Sequence, residues 1–146
     1  MVEIATPAQM FELGRKIGRN LIAGDLILLA GALGAGKTLF VQGLGSALGI
    51  SGITSPTFVI SRIYKGSLPL IHVDAYRLQQ SEDPNLSLDD LDLDTEREEA
   101  VTVIEWGGQA GARLSDERLE ITIDRTSEIR KVTSVGYGSR WEGFSL

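Results

Sequence analysis

Apolar residues change their spacing several times along this chain, and each change marks an element. Met10, Leu13, Ile17 and Leu21 recur every three or four residues, the period of one helical face. Ahead of them, Thr6-Pro7-Ala8-Gln9 offers an N-cap threonine, proline at the first helical position and glutamine at the capping-box position. A helix is therefore expected to begin there and to end at Gly24-Asp25. Leu26-Ile27-Leu28-Leu29-Ala30 is a continuous apolar run, the pattern of a strand buried on both faces of a sheet. A glycine-rich turn follows, and then Phe40, Val41, Leu44 and Leu48 return to helical spacing, with Gly49 placed to close that helix.

Further along, Phe58–Tyr64 is rich in β-branched and aromatic residues and Leu70–Val73 is apolar. Lys65-Gly66-Ser67 between them suggests a hairpin, so the sheet is expected to be mixed instead of purely parallel. Val101-Thr102-Val103-Ile104 reads as another buried strand, and Leu119–Ile123 with Lys131–Val135 as a closing pair. No repeat, linker or low-complexity tract interrupts the series. The expectation is one α/β domain over residues 1–146, a P-loop NTPase-like fold with a mixed parallel and antiparallel central sheet.

Composition narrows this picture. The chain has 146 residues, enough for one well-filled core, and no cysteine, which excludes disulfides, thiolate metal sites and thiol nucleophiles and suits a reducing cytoplasm. The longest apolar run falls far short of the ~20 residues of a membrane span, and Met1-Val2-Glu3 opens no secretory leader. The expected location is cytoplasmic, with no membrane partner. The formal net charge of −6 argues against a protein that grips nucleic acid alone. Nine of the 20 acidic residues fall in the segment 79–99 beside a single base, Arg97, so the rest of the chain is slightly basic. That segment reads as a solvated helix or loop, or as a docking surface.

The chemistry concentrates in the glycine-rich turn. Gly31-Ala32-Leu33-Gly34-Ala35-Gly36-Lys37-Thr38 fits G-x-x-x-x-G-K-[ST] at every fixed position, between an apolar strand and an amphipathic helix. Glycines let successive amides curl around phosphate oxygens, and the following helix points its positive end at the same anion. Lys37 supplies a charge for the β- and γ-phosphates, and the Thr38 hydroxyl is placed for magnesium. Hydrolysis also needs an acid at a neighbouring strand end. Asp74 after Leu70–Val73 and Glu105 after Val101–Ile104 are the candidates, the alternative for each being an exposed acid that merely caps a strand.

Thr57, in Ser55-Pro56-Thr57-Phe58, reads either as a threonine that closes over the γ-phosphate and magnesium or as part of a proline turn. Trp106 reads either as a wall of the nucleotide site or as a core residue. His72, the only histidine, reads as structural, pointing away from the neighbours of Asp74.

The order Leu28–Thr38, then Ser55-Pro56-Thr57-Phe58, then His72-Val73-Asp74-Ala75-Tyr76-Arg77-Leu78, then Ile104-Glu105-Trp106 resembles the TsaE (YjeE) family. These are small bacterial P-loop ATPases of tRNA threonylcarbamoyladenosine biosynthesis. The resemblance spans residues from about 6 to 125, and the D-x-Y-R-L and E-W pieces are its specific part. It implies binding of ATP or ADP with magnesium, docking on a TsaB–TsaD complex, and contact with tRNA only indirectly. By matching position, Gly31, Leu33, Gly34, Ala35, Gly36, Lys37 and Thr38 would cradle the phosphates. Thr38 and Glu105 would hold magnesium, with Asp74 near it and essential for hydrolysis. Thr57 would be the switch-like threonine and Trp106 would line the nucleotide site.

Ala32 and Leu39 stand where many members carry an acid and a second threonine, and Asp83-Pro84-Asn85 is atypical. Arg130, beyond the matching region, is a candidate phosphate or ribose contact. Two other function classes stay open: a P-loop small-molecule kinase, and a non-catalytic nucleotide-sensing module. A kinase calls for an arginine-bearing lid, and the only arginines between Asp74 and Val101 are Arg77 and Arg97 amid acids. A GTPase calls for Asn-Lys-x-Asp, which the sequence lacks.

Overall fold

Thr6 starts the first helix as its sequence requires. Its backbone is extended (φ −131°, ψ 155°), its hydroxyl accepts the Gln9 amide at 3.2 Å, and the Gln9 carbonyl oxygen accepts the amides of Ala5 at 2.7 Å and Thr6 at 3.2 Å. This reciprocal cap satisfies amides that the first turn would otherwise leave bare. The computed structural model describes residues 1–54, 61–75, 97–105 and 115–146. Within them, in chain order, are β1 (Val2–Ile4), α1 (Pro7–Gly18), β2 (Leu26–Gly31), α2 (Lys37–Ala47), β3 (Ser61–Tyr64), β4 (Leu70–Asp74), β5 (Val101–Glu105), β6 (Arg118–Asp124) and β7 (Arg130–Tyr137).

The seven strands form one sheet in the order β1-β7-β6-β2-β5-β4-β3. The middle four, β6, β2, β5 and β4, run parallel, whereas β3 pairs antiparallel with β4, and β7 with both β6 and β1. The mixed α/β sheet expected from the Lys65-Gly66-Ser67 turn is the one observed. Every residue of β4 and β5 is buried, which accounts for their mostly apolar character, and the polar side chains they do carry, His72, Asp74, Thr102 and Glu105, are buried with them.

α1 and α2 lie together on one face of the sheet. Leu13, Ile17, Phe40 and Leu44 share a core there with Ile27, Leu29, Val103 and Ile121. Glycine sets how closely the two helices approach. A Cβ at Gly14 would strike the Phe40 carbonyl and one at Gly43 the Phe11 carbonyl, so backbone packs on backbone.

The sequence overstates the length of α1. The helix stops at Gly18 instead of running to Gly24-Asp25, although Leu21 is buried as its spacing demands. The Asn20 side chain donates to the Lys16 carbonyl at 3.0 Å, and the Leu21 amide takes the tighter bond to Gly18 at 3.3 Å, so the last turn tightens and ends. The apolar face continues, but the helix does not.

Past β7 the chain turns at Gly138 (φ 87°) into a short 3-10 turn, Ser139–Trp141. Trp141 is buried, and Arg140 lies over its indole at 4.3 Å. The Arg140 guanidinium donates two bonds of 2.8 Å to the buried Asp25 carboxylate and a third to the Asn20 carbonyl. The end of the chain is thereby fastened to the turn that leads into β2. Thr57, Trp106 and the acidic segment up to residue 96 lie outside the described residues. Among the described residues no helix is long and apolar enough to cross a membrane.

Candidate phosphate-binding site

β2 delivers the glycine-rich turn to the edge of the parallel sheet, and α2 leaves from it. Gly34 (φ 77°) and Gly36 (φ 111°) adopt left-handed backbone conformations that a side chain would strain. Gly36 is the N-cap of α2 and brings no side chain to its amides, while the Phe40 amide bonds to the Gly36 carbonyl at 2.9 Å. An uncapped helix start joined to a left-handed glycine turn is a concave array of N–H groups suited to an anion.

Lys37, the first residue of α2, is only 8% exposed, and its ammonium donates to the Gly31 carbonyl at 2.5 Å. Burial pushes its pKa below the ordinary 10.5, while the nearby Glu105 and Asp74 carboxylates pull it back up. Thr38 follows, half-buried, on the same first turn.

Asp74 and Glu105 come together through strand pairing. They are direct partners in the β4–β5 ladder, and Glu105 also pairs with Leu29 of β2, just before the turn. Neither is an exposed strand cap, because Asp74 is 8% exposed and Glu105 4%. The sheet thus brings 31–38, Asp74 and Glu105 to one place, as their positions at strand ends implied. The hydroxyl and carboxylate oxygens of Thr38, Asp74 and Glu105 are hard donors of the kind magnesium takes.

Two residues have closer ties to the site than the sequence suggested. His72 does not point away from the neighbours of Asp74. Its Nε2 lies 3.1 Å from Glu105 Oε1, with both side chains buried. Two-residue strand periodicity puts His72 and Asp74 on one face, and the ladder register adds Glu105. Arg125 was not singled out by sequence at all. Ile123 of β6 pairs with Gly31 of β2, so two residues further on Arg125 reaches the turn, where its guanidinium donates to the Leu33 carbonyl. The signal was an arginine just past an apolar strand, readable only once that strand is known to lie beside β2.

A cavity of about 260 Å³ adjoins the turn. Thr6, Pro7, Met10, Gly36, Leu39 and Arg130 contribute to its lining. Arg130 is therefore beside the glycine turn, and Leu39, one of the atypical positions, forms part of an apolar wall.

The depressed Lys37 pKa has a testable consequence. An anion bound at the turn favours the charged ammonium, so binding is strongest where Lys37 is protonated and is coupled to proton uptake as pH rises through its lowered pKa. The affinity of a phosphate-bearing ligand held there should fall on the alkaline side, starting at a lower pH than an unperturbed lysine would dictate. Calorimetry in buffers of different ionisation enthalpy measures that proton uptake.

Known proteins resemble this chain over most of its length. The family model described as "Threonylcarbamoyl adenosine biosynthesis protein TsaE" matches residues 4–132. The tRNA threonylcarbamoyladenosine biosynthesis protein TsaE of Streptomyces coelicolor is 47% identical over 141 residues, covering 90% of this chain and 93% of its own. The protein of the same name from Bacillus subtilis is 40% identical, covering 82% of this chain and 74% of its own. The crystal structure of YdiB from Bacillus subtilis superposes with a TM-score of 0.76 at 32% identity, over 97% of this chain and 87% of that one. By sequence and by fold, the chain belongs to the TsaE family of tRNA threonylcarbamoyladenosine biosynthesis proteins.

Proposed function

We propose that this protein binds ATP or ADP with magnesium at the 31–38 turn and hydrolyses ATP, and that it supports threonylcarbamoyladenosine formation through a TsaB–TsaD complex. The observation that carries the reading is the burial of Lys37 between the glycine turn and the Asp74–Glu105 pair. Few purposes other than receiving a phosphate chain explain a lysine ammonium held there beneath left-handed glycines. The names of the relatives supply the biosynthetic setting.

In this reading the amides of 33–38 and the Lys37 ammonium bind and orient the phosphates. Thr38, Glu105 and Asp74 would hold the magnesium ion, which when bound neutralises charge on the β- and γ-phosphate oxygens. Asp74 orients the attacking water. Water oxygen bonds to the γ-phosphorus, the bond from that phosphorus to the β-bridging oxygen breaks, and ADP leaves with a proton and phosphate as co-products. Thr57 and Trp106 join the proposal through the family resemblance alone, as a phosphate-sensing threonine and a wall of the nucleotide site. The cavity bordered by Leu39 and Arg130 is the adjoining space for the nucleoside.

The net charge of −6 favours tRNA being reached through protein partners instead of by direct grip. The test is a threonylcarbamoylation assay with TsaB, TsaD, tRNA and ATP. Added protein should increase modified tRNA over many turnovers and should be retained on TsaB–TsaD in a nucleotide-dependent pull-down. Equal product with and without it, and no retention with any nucleotide, would remove the proposal.

A further inference from the structure

We propose that His72 is a positioning residue that holds the Glu105 carboxylate in its metal-ready orientation; the inference rests on the reading of Glu105 as a magnesium ligand. His72 is fully buried on β4 and Glu105 nearly so at the end of β5, with Nε2 and Oε1 3.1 Å apart. The other ring nitrogen, Nδ1, is also buried and has no hydrogen-bond partner among the described residues. Only one tautomer makes use of these surroundings. With the proton on Nε2, the ring donates to Glu105 and leaves a bare lone pair at Nδ1. With the proton on Nδ1, the ring would bury an unpaired donor and set a lone pair against a carboxylate oxygen.

A glutamate at a strand end keeps three rotatable bonds, and fixing its side chain costs rotamer entropy. The His72 bond meets that cost within the fold, before any ligand arrives. It engages Oε1 from the β4 side, while the Lys37 charge acts on the same carboxylate from the α2 side. Partners of this kind behind a metal ligand set its orientation and basicity. The parallel register, with His72 two residues before the Asp74–Glu105 pair, makes the contact possible, and none of these residues lies on a loop.

The chain has a single histidine, so every imidazole signal in a long-range 1H–15N spectrum belongs to His72. The wild-type protein should show the Nε2–H tautomer, and Glu105→Gln should shift that resonance. In titrations with ADP, His72→Leu should cut the affinity gained on adding magnesium by about 10-fold, with metal-free ADP affinity unchanged. His72→Gln, which keeps an N–H donor at a similar reach, should recover most of the loss. An Nδ1–H tautomer in the wild type, or an undiminished magnesium gain in a folded His72→Leu protein, overturns the inference while leaving the nucleotide site standing. Wild-type protein that binds no ADP with or without magnesium overturns the nucleotide reading, and this inference with it. If His72→Leu does not fold, the wild-type tautomer and its response to Glu105→Gln decide.

Discussion

Asp74→Ala and Glu105→Ala should each keep ADP bound while lowering ATP hydrolysis by about 100-fold or more, the cost typical of deleting one preorganised polar group that acts on the reacting phosphate. The separation of the two effects follows from the geometry. Both carboxylates are buried partners at the ends of β4 and β5, and both act electrostatically on Lys37. Neither belongs to the amide cradle, so its loss leaves the phosphate-binding groups in place. Removing a negative charge beside the phosphates favours metal-free ADP, whereas the gain in ADP affinity that magnesium brings should shrink in the Glu105 variant. In the proposed reading the rate depends on them differently, because they would hold the ion and the water. Phosphate release measured in the presence of TsaB–TsaD, alongside ADP calorimetry, separates binding from turnover. Wild-type rates in both variants would strip these residues of their assigned roles.

The second large effect is on stability. Arg140→Ala should lower the unfolding free energy by about 3–5 kcal/mol, the cost of leaving a buried charge without its partner. The Asp25 side chain is 3% exposed, and two guanidinium bonds of 2.8 Å are its charged contacts. The Ile22 amide, donating at 2.8 Å, is left as a partner but cannot neutralise it. Asp25 precedes β2 and the glycine turn follows it, so the six-residue strand sets them about 20 Å apart. ADP affinity of the folded variant should accordingly be unchanged. Adding Asp25→Asn should restore part of the lost stability, because the stranded charge is then gone. Urea unfolding gives the number, and a loss below about 1 kcal/mol, the range of exposed ion pairs, would contradict the burial argument.

Local signals in this sequence were strong where one segment decides its own structure. The Thr6–Gln9 capping box, the 31–38 turn and the apolar runs of β2, β4 and β5 all form where the pattern places them. Gly49 (φ 75°) closes α2 as its spacing implied. What escaped the sequence depends on partners far away along the chain. β1 has three residues and exists because β7 offers an edge to Val2–Ile4. Arg140 and Asp25 are 115 positions apart, and no periodicity links them. Arg125 reaches Leu33 only because β6 happens to flank β2.

The same distinction runs through the candidate site. Lys37 and Thr38 were legible because the motif is contiguous. Asp74 and Glu105 were legible because strands in open α/β sheets end at the ligand crevice. Two-residue periodicity puts His72 on the same strand face as Asp74, but its contact with Glu105 depends on the register between β4 and β5, which sequence alone does not supply. In α1, helical spacing carried Leu21 into the core but could not distinguish a continuing helix from a tightened turn capped by Asn20.

The central claim is that the 31–38 turn with its buried lysine is a nucleotide-phosphate site. Calorimetric titration of ADP with magnesium into wild-type protein and into Lys37→Ala tests it most directly. One nucleotide should bind per wild-type chain, with affinity about 10- to 100-fold weaker in Lys37→Ala, the scale of a lost charge-assisted bond. Equal affinity in the two proteins, or no binding to the wild type, would contradict the account.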